Sequence, residues 1–165
     1  MSLRFKIRPA KKEDLETVMA LERITADAPH WAESDYKTAI ENGPDSILQR
    51  CFLIAEREDE DQRGDLIGFA VAKAIGTGAE GTAELESIVV AANARRSGVG
   101  QALCTTVLQW CRHLEIPNVE LEVRLSNYRA KGLYSRIGFI PIGLRKRYFQ
   151  NPEEDAVQMQ IALLP

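Results

Sequence analysis

The sequence predicts an α+β fold: a three-layer α/β/α sandwich with helices on both faces of a mixed, mostly antiparallel sheet that contains a central parallel strand pair. Three observations carry that expectation. Residues 51–91 contain three strand-like runs separated by short polar or glycine-rich loops, the pattern of antiparallel neighbours. From 98 to 115, Val99, Leu103, Val107, Cys111 and Leu114 recur every three or four residues, which marks a long amphipathic helix. That helix sits between "TAELESIVVA" and "NVELEVR", a strand–helix–strand step that places two strands parallel.

Taken in order, "RFKIR" (4–8) alternates as a first strand, and the following run to Asp27 places Leu15, Val18, Met19 and Glu22 at helical spacing after an acidic first turn. "APHW" (28–31) reads as a loop, and "ESDYKTAIEN" (33–42) as a shorter helix stopped at Gly43-Pro44. "CFLIAERE" (51–58) and "DLIGFAVAKAI" (65–75) form a hairpin across "DEDQRG", and "TAELESIVVA" (82–91) is the central strand, β-branched at its end. Pro117 closes the long helix and "NVELEVR" (118–124) alternates as a strand. "NYRAKGLYSRIG" (127–138) is a helix stopped by Gly138, and "FIPIGLRKRYF" (139–149) and "DAVQMQIAL" (155–163) are the closing strands. The expected order is βααβββαβαββ, in one domain over residues 1–165.

Composition bounds the function. A hydrophobic content of 45% is that of a globular protein, and a net charge of −3 argues against a surface built throughout for nucleic acid, although Arg145, Lys146 and Arg147 form a local basic run. No apolar run reaches the roughly 18 residues of a membrane helix and the start lacks a signal-peptide core, so a soluble cytoplasmic protein is expected. Cys51, Cys104 and Cys111 are odd in number and lack Cys-x-x-Cys spacing, which disfavours a disulfide frame or a zinc site. Cys104 and Cys111 share a helix face and read as core. His30 and His113 have no Ser, Cys or ligand partner at useful spacing and read as structural.

Two features bear on chemistry. "RRSGVG" lies between a strand and the long helix, where unencumbered amides and the positive end of the helix dipole suit an anion. The glycines alone equally suit a plain turn. No Lys-Ser/Thr follows, so this is not a Walker loop, and the full Gly-x-Gly-x-x-Gly of a dinucleotide fold is missing. Glu84 and Glu86 share one face of their strand, and Glu120 and Glu122 one face of theirs. On a covered sheet such acids are costly unless used or paired; the alternatives are an ion pair or a solvated face.

"SIVVAANARRSGVGQAL" and "LEVRLSNYRAKGLYSRIGFIPIG" together resemble the cofactor-binding and following segments of the GNAT superfamily of N-acetyltransferases. Arg95, Gly98 and Gly100 meet its Arg/Gln-x-x-Gly-x-Gly/Ala pattern; Asn127, Ala130, Leu133, Tyr134, Gly138 and Phe139 meet the later run. Within the superfamily the chain is most similar to the ribosomal-protein-alanine N-acetyltransferases, the RimI-like branch, through "APHWAESDY", "LEVRLSN" and "RKRYFQNPEEDAVQM".

The resemblance implies a GNAT-like fold and acetyl-CoA as co-substrate, without a metal. Its pyrophosphate would lie on the loop that Arg95 opens, at the amides of Arg96, Ser97, Gly98, Val99, Gly100 and Gln101, with its pantetheine arm along Ile88, Val89 and Val90 and Asn127 nearby. Glu122 falls on the branch's general base and Tyr134 on its general acid, with an amide near Val89 as oxyanion donor. Glu84 faces the acceptor and is the position of the base in other branches. Trp31, Tyr148 and Phe149 would wall a slot for the substrate, the N-terminal α-amine of a protein such as the N-terminal alanine of a ribosomal protein. Ala91-Ala92 and Phe149 depart from the branch, which has Asp-Pro and a second tyrosine there. The competing readings are a GNAT acting on a small amine (an antibiotic, a polyamine or an amino acid) and an acyl-CoA-binding module without turnover.

Overall fold

A computed structural model of the chain describes residues 2–43, 46–62 and 64–163. The sheet has seven strands: β1 (Phe5–Pro9), β2 (Leu48–Arg57), β3 (Leu66–Ile75), β4 (Thr82–Val90), β5 (Asn118–Arg124), β6 (Ile140–Phe149) and β7 (Glu154–Ala162). Their spatial order is β1-β2-β3-β4-β5-β7-β6. Every neighbouring pair is antiparallel except β4 and β5, so the expected mixed sheet with one parallel pair is what the chain forms.

Four helices cover it: α1 (Leu15–Arg23), α2 (Glu33–Glu41), α3 (Val99–His113) and α4 (Tyr128–Ile137). Val18, Met19, Leu21, Tyr36 and Ala39 from α1 and α2 pack against Phe52, Ile54, Phe69 and Val71 on one face. On the other, Val99, Leu103, Val107 and Cys111 of α3 and Tyr134 of α4 pack against Leu53, Ala70, Leu85 and Leu121. The three- and four-residue spacing of α3 thus becomes a buried stripe, and Cys104 and Cys111 lie in it with their thiols free.

The boundaries differ from expectation in instructive places. The first helix is shorter, a 3-10 turn at Lys12–Asp14 and then nine residues ending at Arg23, so Thr25 and Asp27 belong to a loop. β2 begins three residues earlier than the apolar run, because Leu48, Gln49 and Arg50 continue the ladder opposite Ile75, Ala74 and Lys73. Of the expected stop after α2, Pro44 lies outside the described residues; so does Arg63 of the β2–β3 loop. No helix among the described residues is long and apolar enough to cross a membrane.

Two details of the sheet create the site. β4 and β5 pair only at Ala83–Val119 and Glu84–Glu120, after which β5 follows β7 to its end and leaves β4 with a free edge. The two parallel strands therefore part at mid-sheet. β4 also bulges: Ser87 lies opposite Val71 and Leu85 opposite Ala72, so Glu86 is the extra residue. The bulge exchanges the faces, since Leu85 packs on the α3 side while Val89 packs on the α1–α2 side.

Candidate active site

Where β4 and β5 part, a cleft of about 1400 Å³ opens, bounded by the β4 edge, the α3 N-terminus, α4, the α1–α2 loop and the end of β6. One half of it is backbone. Gly98 caps α3 at φ +87°, a left-handed conformation that glycine adopts without strain. The first helical hydrogen bond runs from Ala102 N–H to Gly98 C=O, so the amides of Val99, Gly100 and Gln101 have no helical acceptor, and glycine has no side chain to take them. Arg95 lines the same wall and its Nε donates to the Val90 carbonyl at 3.4 Å. The α3 N-terminus is held close to the sheet at Gly68, where a Cβ would meet the Val89 carbonyl at 2.9 Å and Val99 at 3.2 Å.

The register of β3 and β4 fixes which β4 amides face the cleft. Ala91 N–H donates to Ile67 C=O, so Ala91, and Val89 two residues before it, direct their backbone groups at β3. Ile88 and Val90 direct theirs to the open edge. Val89 N–H is thereby committed to the sheet and its side chain is buried under α1 and α2, so the free amides near Val89 are those of Ile88 and Val90.

The other half of the cleft is side-chain chemistry. Glu122 of β5 and Tyr134 of α4 both line it. Glu122 Oε1 lies 3.3 Å from Arg145 Nε, and Glu84 is close enough for its charge to act on the Glu122 carboxyl. Burial first, then the charge of Glu84, pushes the Glu122 pKa above the usual carboxylate value, while Arg145 pulls it back. Tyr134 is buried, and burial raises its phenol above the ordinary tyrosine value, so it stays protonated at neutral pH. Its ring stands edge-on to Phe139 at 5.7 Å.

A row of alternating charge crosses the sheet on its α1–α2 face. Arg50 of β2 lies 3.8 Å from Glu86, Lys73 of β3 lies 3.8 Å from Glu86 and 3.3 Å from Glu84, and Arg145 of β6 holds Glu122. Burial raises the Glu86 pKa against the opposing pull of Arg50 and Lys73. Glu120 is held instead by Gln160, at 3.0 Å, and Gln158. The Arg145 guanidinium also lies over the Tyr148 ring at 5.8 Å.

Most sequence-derived site residues converge here. Ile88, Val89, Val90, Arg95, Arg96, Gly98, Val99, Gly100, Gln101, Glu122, Asn127, Tyr134 and Tyr148 all border the cleft. Ser97, Glu84 and Trp31 do not. The Ser97 hydroxyl turns inward to the Ala94 carbonyl. Glu84 stands behind Glu122 on Lys73. Trp31 packs on Tyr36 with ring centroids 5.1 Å apart. Asn127 has a local structural task as the N-cap of α4, accepting from Ala130 N–H at 3.1 Å.

Sequence reasoning missed the bulge at Glu86, the buried Ser87 and the place of His30 on the cleft wall, 3.7 Å from Glu22. The bulge falls inside "AELESIVV" with no glycine or proline to mark it, and one histidine in a loop carries no signal of its own.

Residues 16–139 match the Acetyltransferase (GNAT) family, and the chain belongs to that family. It is an acetyl-CoA-dependent N-acetyltransferase. A Bacillus subtilis relative, provisionally named a ribosomal protein bS18-alanine N-acetyltransferase, is 26% identical over 163 residues, 99% of each chain. The crystal structure of the Escherichia coli ribosomal-protein-S18-alanine N-acetyltransferase aligns with TM-score 0.75 at 22% identity, over 98% of this chain and 96% of that one. NAA60 of Arabidopsis thaliana in complex with acetyl-CoA aligns at TM-score 0.83 and 18% identity, over 97% and 99% of the two chains.

The residues present fit that co-substrate: unpaired amides at a glycine cap suit a pyrophosphate, and the free β4 edge suits an extended amide-bearing arm.

Proposed function

We propose that this acetyltransferase modifies the N-terminal α-amine of a protein, with the N-terminal alanine of a ribosomal protein as the acceptor its relatives nominate. The observation that carries the reading is that Glu122 and Tyr134 both line the cleft that opens where β4 and β5 separate. The full-length similarity to a relative named for that acceptor supports it further.

Acetyl-CoA supplies an activated acyl thioester. The amides of Arg96 to Gln101 would hold its phosphates, and the open edge at Ile88 and Val90 would pair with its arm and present an N–H to the thioester carbonyl. An α-amine with a pKa near ~8 is about one-tenth neutral at pH 7, whereas a lysine near ~10.4 is several hundred times less so. A modest base therefore suffices for an N-terminus. Glu122, raised by burial and by Glu84, accepts the proton directly or through ordered water. Tyr134, kept protonated, delivers a proton to the departing thiolate. Tyr148, braced by Arg145, forms the outer wall for the acceptor, while Trp31 packs on Tyr36.

Mass spectrometry of cellular proteins with and without this enzyme tests the reading. Loss of the acetyl group from a ribosomal protein's N-terminus is expected. An unchanged set of N-termini, together with acetylation of a small amine by the purified protein, would contradict it.

A further inference from the structure

Strand register interleaves acids and bases beside the cleft. Glu84 and Glu86 come from β4 and Glu122 from β5, while Arg50, Lys73 and Arg145 reach them from β2, β3 and β6. Glu86 and Glu122 line the cleft; Glu120, outside its lining, is held by the amides of Gln158 and Gln160. These charges are felt inside the cleft, at Tyr148 on its wall. Burial first, then Glu122 and Glu84, raise the Tyr148 phenol above the ordinary tyrosine value, while Arg145 and Lys73 pull it back.

Without the cations, β4 and β5 would present bare carboxylates to the cleft, and a wall of one sign concentrates any ligand of the other. Every ammonium would then be drawn in, whatever molecule carried it. With them, each of the three carboxylates already has a counter-ion, and an incoming cation gains little. Arg145 differs from the other two cations. Arg50 and Lys73 serve Glu86 and Glu84, whereas Arg145 stands 3.3 Å from the carboxyl of Glu122, the proposed base. A guanidinium does not lose its proton in a protein, and this side chain is 52% exposed, so it supplies charge and not core packing.

We propose that Arg145 is a specificity-determining residue: it turns cationic amines away from Glu122, so that the site takes an α-amine, which arrives partly neutral, over a lysine side chain or a polyamine. The inference rests on the N-terminal reading above. Discrimination of this kind is built against the wrong acceptor and needs no added contact with the right one. A like charge beside an incoming ammonium raises the cost of binding it, and a neutral amine escapes that cost.

The test uses the full chain, acetyl-CoA and three acceptors: a lysine-free peptide beginning with alanine, the same peptide beginning with β-alanine, and spermidine. β-Alanine presents a more basic amine in nearly the same shape. Arg145→Gln keeps the reach of the side chain and removes its charge. It should raise kcat/KM for the β-alanyl peptide and for spermidine, each relative to the alanyl peptide, by about tenfold. Arg145→Lys keeps the charge and should hold both ratios near those of the unaltered enzyme. In roughly 1 M salt, where the Debye length is about 3 Å, the ratios of Arg145→Gln and the unaltered enzyme should converge.

Ratios unmoved by Arg145→Gln, or moved as far by Arg145→Lys, would overturn the inference and leave N-terminal acetylation standing. A difference that persists in salt would trace the effect to packing and overturn it equally. Failure of the unaltered enzyme to acetylate the alanyl peptide would overturn the N-terminal reading and this inference with it.

Discussion

The two halves of the cleft are built from different materials. The cofactor half is backbone: a glycine-capped helix end and an unpaired strand edge, whose donors are fixed by the fold itself. The proposed acceptor half is side chains, Glu86 and Glu122 on the wall and Glu84 adjoining it, each tied to a cation on another strand. Backbone donors have one geometry and cannot be tuned by a neighbour, whereas a carboxylate's basicity is set by whatever charge and solvent surround it. The grip and the chemistry should therefore fail separately, and each substitution below is a way to find them failing together.

The largest effects belong to the acceptor half. Glu122→Gln and Tyr134→Phe should each lower kcat by ~10- to 10⁴-fold, the scale for a positioned acid or base, while the Kd for CoA by calorimetry stays nearly constant. A full rate after Glu122→Gln would transfer the role to Glu84 or Glu86. Gly98→Val attacks the grip. A β-branched residue at φ +87° adds strain of about 1–3 kcal/mol, and a loop that moves to relieve it loses its aim at the phosphates. CoA affinity should weaken by roughly tenfold, about 1.4 kcal/mol, in the same titration; an unchanged Kd would remove the phosphates from this loop.

These two predictions mark what was legible in the sequence and what was not. The α3 stripe, the parallel step, the order of elements and the glycine loop were readable, because each depends on local spacing or on a residue with special backbone freedom. Glu122 and Tyr134 were named through a family resemblance, and nothing in their local pattern distinguishes them from paired or packed residues. The counter-ions Lys73 and Arg50 were invisible, since they reach Glu84 and Glu86 only through strand register. The bulge at Glu86 was hidden for a related reason: its burial pattern alternates without interruption while the faces exchange beneath it.

Asn127→Ala separates the halves at a residue between them. Loss of an N-cap should lower stability by about 0.5–2 kcal/mol in denaturant titrations and reduce kcat less than Tyr134→Phe does, because α4 carries that tyrosine. A loss of CoA affinity larger than the loss of stability would instead give Asn127 a direct contact with the cofactor.

The smallest effect is a paired shift in the pH profile of kcat/KM. Glu84 raises the Glu122 pKa and Arg145 lowers it. Glu84→Gln should therefore move the acid limb to lower pH and Arg145→Ala to higher pH. Shifts in the same direction would show that another group titrates.

The central claim, transfer to an α-amine by the carboxylate side of this cleft, is tested most directly by one incubation with acetyl-CoA. The acceptor is a peptide carrying both a free N-terminus and an internal lysine, and the acetyl group is located by fragment mass spectrometry. The account predicts acetyl on the N-terminus alone. Acetyl on the lysine, or on neither while a small amine in the same tube is modified, would contradict it.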